Sequence, residues 1–546
     1  MATTAAPPRQ TLFLRNATGL VKAWSTFDAF LYSFWSVNLV TLGLYGMSFL
    51  YAIPDGQALA AVILTGVLTT FLVFTYAMLV TVMPRAGGDY AWQSRILGGG
   101  PGFVLSITGW WFTLWLWTPI YANILVVQFF TPLAYTLGWT GLANFFSSGT
   151  GVFVSCLVVL AFVSIVITLG MEGYARIQKF CFYLGMAGLL VMIGLLLFGT
   201  HDAFVSAFNR EASSIFGATG DAYQKTLAVA AKDGTTGVSF GHFALGSTFL
   251  LLPFLAFYLL WPVWGATLYG EVRGAKEYRK VFSAMFWGLW VTVALVAVIL
   301  LLIVKTIGWD FYSAANAAYW SSLAGGAAPP VPIWPYPVMF AGWLVNSHLF
   351  QALLIAVMGL WFFGWAGTLF LSSTRVIFAA AFDRVLPEWA ANISAKRRVP
   401  YGSLILMIVP SLVVSAIWAF KPNFQTVFLW ATGVIAITFL GTCIAAAILP
   451  WRRRDIFQQS PIARFKVAGI PVITLTGAVS AIFLVFMLIE WSFNGVYGTA
   501  FSVNIWSPIY FLATYALALV IYLVARTVRK RQGIDLSRIH REIPVE

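Results

Sequence analysis

The sequence predicts an all-α integral membrane protein with twelve transmembrane helices, and its composition, apolar runs and charge distribution all indicate this. Of the 546 residues, 60% are hydrophobic and only 9% are charged, and the mean hydropathy is +0.86. Soluble domains have about a quarter charged residues, so a chain of this composition could not cover its own surface in water. The composition therefore excludes a soluble enzyme and indicates a lipid bilayer as the surroundings.

Twelve apolar runs are long enough to cross a membrane, which takes about 20 residues for a hydrocarbon core of ~30 Å. In chain order they cover residues 27–53, 57–83, 101–131, 151–170, 174–199, 247–270, 280–305, 347–382, 403–420, 424–450, 467–490 and 504–526. The first run is much longer than the apolar part of a secretory signal, so it is predicted to stay in the protein as a span.

The basic residues concentrate on one side of the predicted membrane. If the N-terminus is cytoplasmic, 27 of the 32 Lys and Arg residues lie in cytoplasmic segments and five lie outside. This asymmetry predicts that both termini are cytoplasmic in a multi-pass protein of the cell membrane. It also explains the net charge of +14 as topology, so no nucleic-acid partner is predicted.

Two of the predicted helices contain residues that favour a break. In the sixth, Pro262 has no N–H to donate, and Gly265 lowers the cost of leaving helical geometry. The first has Asn38, Thr41 and Gly43 at mid-membrane depth. Taken singly, these features also suit a proline kink and ordinary helix packing. Breaks at matching positions in two halves are typical of inverted-repeat transporters with a midplane site, so a five-plus-five repeat with two peripheral helices is predicted.

The predicted organisation follows from these spans. It comprises a cytoplasmic segment (1–26), a first repeat of helices 1–5 (27–199), an external loop (200–246), a second repeat of helices 6–10 (247–450), helices 11 and 12 (451–526) and a basic cytoplasmic tail (527–546). A second external loop covers residues 306–346. Neither loop is long enough for an independent domain of ordinary size, so both are interpreted as coverings or gates.

Four segments carry motifs of a known family. Residues 83–90 contain Pro-Arg-Ala-Gly-Gly-Asp-Tyr, and residues 269–276 contain Tyr-Gly-Glu-Val-Arg-Gly-Ala-Lys. Residues 372–387 run from Ser-Ser-Thr-Arg to Asp-Arg-Val-Leu-Pro, with Val-Pro-Tyr at 399–401, and a weaker match covers residues 173–178. In order and spacing these segments resemble the amino acid-polyamine-organocation (APC) superfamily of permeases.

The resemblance implies a substrate site at the two broken helices, where the first binds the substrate carboxylate and the sixth binds the amine. By position these sites fall on Asn38, Leu39, Val40, Thr41 and Gly43, and on Trp261, Pro262, Trp264 and Gly265. The family's small-residue signature in the first helix is replaced here by Leu39-Val40-Thr41. Bulkier side chains hinder the approach of a carboxylate to the backbone, which weakens the case for an ordinary α-amino acid.

Aromatic residues surround the predicted site. Trp261 and Trp264 bracket Pro262, and the eighth helix adds Trp361, Phe362, Phe363 and Trp365. Such rings could enclose an ammonium group or stack on a flat ring. With 24 Trp and 47 Phe in the chain, the same residues are also consistent with ordinary packing.

The sequence shows no titratable residue at mid-membrane depth. Some proton-coupled members of the family have a Lys in helix 5, but the corresponding position here is Gly185. Oxygen ligands suit a sodium ion, so Thr368, Ser372 and Ser373 are candidate ligands for one, although such hydroxyls often bond to carbonyls of their own helix. The only cofactor expected is therefore a coupling ion, either sodium or a proton.

Arg85, Glu271 and Arg375 lie at the cytoplasmic ends of predicted helices, where ionised groups need partners. They are predicted to form a cytoplasmic gate.

The sequence thus predicts a secondary active transporter that moves an amino acid, an amine or a related organic cation by alternating access. Its partners are a small-molecule substrate and the lipid bilayer, and no oligomeric state is predicted. One alternative is a carrier of nucleobases or other flat rings on the same fold, and another is a substrate sensor that does not transport. An enzyme is not expected, because no metal-ligand or Ser-His-Asp grouping occurs.

Overall fold

The computed structural model describes residues 19–421, 424 and 430–543, and within them twelve helices are long and apolar enough to span a membrane. Spans 1 to 12 are Thr26–Met47, Ala58–Val82, Gly99–Thr136, Gly149–Thr168, Gly170–Phe198, Leu245–Glu271, Tyr278–Ile307, His348–Phe382, Tyr401–Phe420, Ala431–Arg452, Val472–Phe493 and Trp506–Arg531. The predicted all-α fold with twelve spans is confirmed. Arg9 and Arg15 of the predicted cytoplasmic segment, the start of the predicted tenth helix and residues 544–546 of the predicted tail lie outside the described residues.

The spans differ in how deeply they are buried, and this places the core. In the apolar part of span 1, 89% of the residues are buried inside the protein, and spans 3, 6, 8 and 10 are each at least 72% buried. Span 12 is only 6% buried, so it is peripheral, as predicted. Large apolar side chains such as Phe198 and Ile482 are exposed on the outer surface, which suits contact with lipid.

Both ends of the described chain lie on one face of the helix bundle, which we call the terminal face. Residues 23 and 24 donate backbone hydrogen bonds to the Glu271 carbonyl, and the Arg95 guanidinium contacts the carbonyl of Glu542. The opposite face, which we call the loop face, holds the two long connections. They are largely helical, with helices His201–Phe216, Ala222–Lys232, Trp309–Leu323 and Pro337–Trp343.

The remaining elements are short connections. They comprise helices Gly88–Ile96, Thr140–Ser147, Arg454–Gln459 and Leu536–Ile539, the 3₁₀ turns Leu50–Ala52, Glu388–Ala391, Pro461–Arg464 and Gly495–Tyr497, and a two-stranded antiparallel hairpin of Lys466–Val467 with Ile470–Pro471.

The C-terminal tail packs against the terminal face. Leu536, Ile539 and His540 are all buried, and the His540 imidazole lies 3.2 Å from the Tyr90 hydroxyl. At these residues the tail is therefore packed against the protein and not exposed to solvent. Apolar side chains at positions 536 and 539 lie on one side of a single helical turn, which lets them pack against the bundle.

Candidate substrate site and its gates

Span 1 is broken at Asn38, as the sequence predicted. The α-helix ends at Val37, and Asn38 adopts a left-handed conformation with φ 43° and ψ 88°. Asn is one of the few residues that tolerate this conformation, because its side chain can bond locally. Its Oδ1 accepts from the Thr41 N–H at 2.9 Å and its Nδ2 donates to the Trp361 carbonyl at 3.0 Å. The side chain thereby caps the second half of span 1 and ties it to span 8.

A wider helical segment follows the break. Residues Leu39–Gly43 form a π-helix before the α-helix resumes at Leu44. The Asn38 side chain accepts a hydrogen bond from the Thr41 N–H. The N–H groups of Leu39 and Val40 lie in the first turn of the helix, where the helix itself supplies no acceptor. Such an N-terminus favours an anionic group such as a carboxylate.

Span 6 is broken at Pro262. Its α-helix ends at Leu259, and Trp261–Glu271 continues as a 3₁₀ helix of 11 residues. Runs of 3₁₀ helix beyond 3–4 residues are uncommon and often mark a functional hinge. The Pro262 carbonyl accepts from the Ser33 hydroxyl at 2.8 Å, so span 1 satisfies part of the irregular backbone, as membrane depth requires.

Between the two breaks lies a small central pocket. Its volume is about 10 Å³, which is room for roughly one water molecule. Its walls are mostly apolar and aromatic and come from spans 1, 3, 6, 8 and 10; they are formed by Ser36, Leu42, Trp117, Trp261, Trp264, Trp365, Thr368, Leu369 and Ile435. The pocket is therefore closed around its own tryptophans in this conformation.

Two of these tryptophans have unused hydrogen-bond donors. The indole nitrogens of Trp117 and Trp264 are buried, and neither has an acceptor among the described residues. A buried indole N–H usually finds a partner, because leaving it unpaired costs about 1–3 kcal/mol. Both residues line the central pocket, so it combines apolar walls with donors that suit an oxygen of a bound molecule.

The structure places the predicted substrate-binding residues in different surroundings. Trp261 and Trp264 line the central pocket with their rings 5.3 Å apart at an angle of 83°. Thr41 offers its carbonyl to Gln128, while Gly43 packs against the ring of Tyr258. Leu39 and Val40 are fully buried, and Pro262 and Gly265 border a second small pocket towards the terminal face. The binding roles of all nine residues stay predictions.

The helix 8 aromatics are also divided. Trp365 lines the central pocket, whereas Trp361 packs edge-on against Trp35 with centroids 5.2 Å apart. The Trp361 indole donates to the Gly185 carbonyl at 3.0 Å. A Cβ at Gly185 would lie 3.1 Å from that nitrogen, so a larger residue at this position requires the tryptophan to shift.

The three hydroxyls predicted as sodium ligands are bonded to carbonyls. Thr368 donates to the Trp365 carbonyl at 2.8 Å, Ser372 donates to the Trp264 carbonyl at 3.2 Å, and Ser373 donates to the Trp110 carbonyl. A further hydroxyl, that of Tyr32, contacts Ser372 at 2.7 Å. These bonds join spans 1, 3, 6 and 8, and the sodium site stays a prediction.

A buried ion pair lies at the terminal face. The Arg375 guanidinium binds the Glu271 carboxylate through two bonds of 2.7 and 3.1 Å, and both side chains are only 1% exposed. The structure therefore brings together two of the three predicted gate residues. Arg85 does not share this pair; it donates to the carbonyl of Pro84 at 3.3 Å. The role of all three residues as a gate stays a prediction.

A second buried ion pair, which was not predicted from the sequence, lies on the same face. Arg95 binds Asp383 through bonds of 2.5 and 2.9 Å, and the Tyr90 hydroxyl donates to the same carboxylate at 3.0 Å. Asp383 belongs to the motif at 372–387, which could have drawn attention to it. Arg95 has no such signal, because the two residues are 288 positions apart.

A larger cavity lies on the loop-face side of the central pocket. Its volume is about 230 Å³, and Tyr45, Phe49, Phe254 and Phe257 are among the residues that line it. An aromatic layer separates it from the central pocket: Phe257 stacks on Trp117 with centroids 5.8 Å apart. Buried ion pairs therefore lie on the terminal-face side of the pocket, and stacked aromatic rings lie between the pocket and the larger cavity.

Comparison with known proteins agrees with this architecture. A family model described as Amino acid permease matches residues 25–521. The chain is also similar to the branched-chain amino acid permease BcaP of Lactococcus lactis subsp. cremoris (strain MG1363), with 23% identity over 484 residues that cover 86% of this chain and 87% of that protein. The chain therefore belongs to the amino acid permease family of the APC superfamily, the family that its four motifs resemble.

Proposed function

We propose that the protein is a secondary active transporter that carries an apolar α-amino acid across the cell membrane by alternating access. The observation that carries the proposal is the central pocket, where two broken helices meet walls of tryptophan, leucine and isoleucine. Apolar walls suit an aliphatic or aromatic side chain. The start of the second half of span 1 and the free indole donors suit the carboxylate.

The family and the similar permease support an amino acid as the substrate. The name of that relative specifies branched-chain amino acids, whose side chains match the apolar character of the pocket. A flat-ring carrier is less well supported, because the Trp261 and Trp264 rings stand nearly perpendicular to each other. Two perpendicular rings form a corner and do not form a slot for a planar molecule.

The barriers on the two sides of the pocket support alternating access. With both termini in the cytoplasm, the buried ion pairs close the cytoplasmic side, and the cavity of about 230 Å³ lies on the external side. Inward opening then requires separation of the 3₁₀ part of span 6 from span 8, because Arg375 joins them through Glu271.

Uptake by purified protein in proteoliposomes tests this function. Counterflow of labelled leucine into vesicles loaded with unlabelled leucine should be saturable and should exceed counterflow of putrescine or adenine. Trp264→Ala should raise the KM for leucine about tenfold, because a lost aromatic contact of 0.5–1.5 kcal/mol adds to lost apolar burial.

The matched control is Trp287→Ala, which removes a tryptophan that is 53% exposed on span 7 and should leave the KM unchanged. Counterflow of adenine alone would favour the flat-ring carrier. Leucine binding without any counterflow would favour a sensor, and equal KM changes in the two tryptophan variants would refute the proposed site.

A further inference from the structure

One buried carboxyl group is used neither by the substrate site nor by the ion pairs. Asp89 is 0% exposed and follows the two glycines of the motif at 83–90. Its Oδ1 accepts from the Tyr76 hydroxyl at 2.5 Å and from the Thr442 hydroxyl at 2.6 Å, and its Oδ2 accepts from the Trp110 indole at 3.1 Å. Asp89 lies in the connection between spans 2 and 3, so it is compatible with the absence of a titratable residue at mid-membrane depth that the sequence indicates.

Asp89 differs from the other buried carboxylates in the charge of its partners. Glu271 and Asp383 each bind an arginine, and Glu211 contacts Arg210. Within the described residues, no Lys or Arg forms an ion pair with Asp89; its three partners are neutral donors. Ionisation of a buried carboxyl group without a nearby cation is costly, so burial favours its protonated form.

The groups around Asp89 do not compensate its charge. The titratable side chains that face it are the phenol of Tyr76 on span 2 and the thiol of Cys443 on span 10, both ordinarily neutral at neutral pH. Among the nearby charged side chains, Arg375 is paired with Glu271 and Arg95 with Asp383. Arg85, on the same loop as Asp89, donates to the Pro84 carbonyl and forms no ion pair with Asp89 among the described residues.

The hydrogen-bond network around Asp89 can accept both charge states. The Tyr76 and Thr442 hydroxyls on Oδ1 can each either donate or accept. If Oδ1 is protonated, one hydroxyl can reverse and accept that proton, while the Trp110 indole continues to donate to Oδ2. An arginine could not reverse in this way, because a guanidinium has no acceptor.

Asp89 is also connected to the broken part of span 6. The Trp110 ring lies against the Trp264 ring with centroids 4.3 Å apart. The Gly87 N–H donates to the Thr267 carbonyl at 2.9 Å, so the loop that carries Asp89 is bonded directly to the 3₁₀ segment. A change in the charge of Asp89 alters its bond to Trp110 and therefore acts on a wall of the central pocket.

We propose that Asp89 is the proton-binding carboxyl of this transporter and that one proton moves with each substrate molecule. The proposal rests on the proposed transport function. Asp89 takes a proton from water on the external side when substrate binds and returns it to water on the cytoplasmic side after release. No other bond forms or breaks, and the carboxylate is regenerated in each cycle.

The acidity of Asp89 is suited to this exchange. The residue lies in the short helix Gly88–Ile96, between spans 2 and 3. Burial raises the pKa of its carboxyl to about 6, against the lowering effect of the Thr442 and Tyr76 hydrogen bonds. A group with this pKa gains and loses its proton within the physiological pH range.

The test uses full-length protein in proteoliposomes with the membrane potential clamped at zero by potassium and valinomycin. With one proton per leucine, an inward gradient of one pH unit should sustain about tenfold accumulation in wild-type vesicles. Asp89→Asn should reduce accumulation to the equilibrium level, because the amide keeps the shape but does not titrate. Leucine counterflow, which needs no net proton movement, should be retained in this variant and should no longer depend on pH.

Three further variants complete the test. Glu490→Gln removes a partly buried carboxylate that, among the described residues, bonds to Asn494 alone, and it should leave accumulation unchanged. Asp89→Glu, which keeps a carboxyl group, should restore part of the accumulation that Asp89→Asn loses. If Asp89→Asn does not fold, Thr442→Val serves instead: it removes a bond that lowers the pKa of Asp89, so the pH midpoint of uptake should move to a higher pH.

The outcomes separate the two proposals. If wild-type protein shows no counterflow of any amino acid, the transport function fails and the proton site fails with it. If counterflow occurs but accumulation follows a sodium gradient, or if Asp89→Asn still accumulates leucine on a pH gradient, only the proton site is refuted.

Discussion

Replacing Arg375 with Met should destabilise the protein by about 3–5 kcal/mol, because it leaves the Glu271 carboxylate buried without its cation. Both side chains are 1% exposed, so water cannot take over the lost bonds. The double variant Glu271→Gln/Arg375→Met should recover much of this loss, since it removes both charges. Thermal unfolding in detergent would measure the difference, and leucine counterflow would show whether the variants still transport.

The chain contains a matched control for this prediction. Lys280 and Glu277 form an ion pair of similar length, 2.8 Å, but their side chains are 52% and 57% exposed. Exposed pairs contribute about 0–1 kcal/mol, so Lys280→Met should change the unfolding temperature little. Equal effects of Arg375→Met and Lys280→Met would show that the buried pair does not stabilise this face.

Gly87→Ala should cost about 3 kcal/mol or more and should also reduce transport. Gly87 has φ +88°, and a Cβ there would lie 2.5 Å from the Cβ of Ala379 on span 8. A left-handed conformation costs a non-glycine residue about 1–3 kcal/mol, and the overlap adds about 1–3 kcal/mol. The loop with the motif at 83–90, here called the motif loop, bonds to the Thr267 carbonyl on span 6. Its displacement therefore also disturbs the broken helix.

Gly217→Ala separates the backbone strain from the overlap. Gly217 also has a positive φ, +67°, but a Cβ there would meet nothing within 4 Å. This variant should lose only about 1–2 kcal/mol and should transport normally. If Gly87→Ala unfolds at the same temperature as Gly217→Ala, the close contact between the motif loop and span 8 is not a significant constraint.

Several features of the site followed from local sequence. Pro262 breaks span 6 because a missing N–H acts within one turn of helix. Ser25 and Asp28 cap the start of span 1 with reciprocal bonds of 3.2 and 2.9 Å, a pattern that depends on a few neighbouring residues only. Arg375 and Glu271 were expected to find partners at the cytoplasmic face because unpaired charges are costly there.

Other features depended on contacts between distant parts of the chain. In the sequence, Asp89 is distinguished only as part of a loop motif. In the fold it is buried against residues such as Thr442, which is 353 positions away. Trp117 and Ile435 line the central pocket, but nothing in their sequence surroundings distinguishes them from other residues of apolar spans. The length of the 3₁₀ segment to Glu271 was also not predicted, since neighbouring spans support its backbone.

The sequence by itself determined the twelve spans, the family and the positions of the two helix breaks, because hydropathy, proline chemistry and motif spacing act over a few residues. Only the tertiary structure decided which tryptophans close the central pocket, that Arg375 pairs with Glu271 without Arg85, and that Asp89 has only neutral partners. In a chain whose charged residues make up 9% of the total, each buried charge is costly. Which groups compensate it is therefore set by packing between distant helices, and local sequence does not encode that packing.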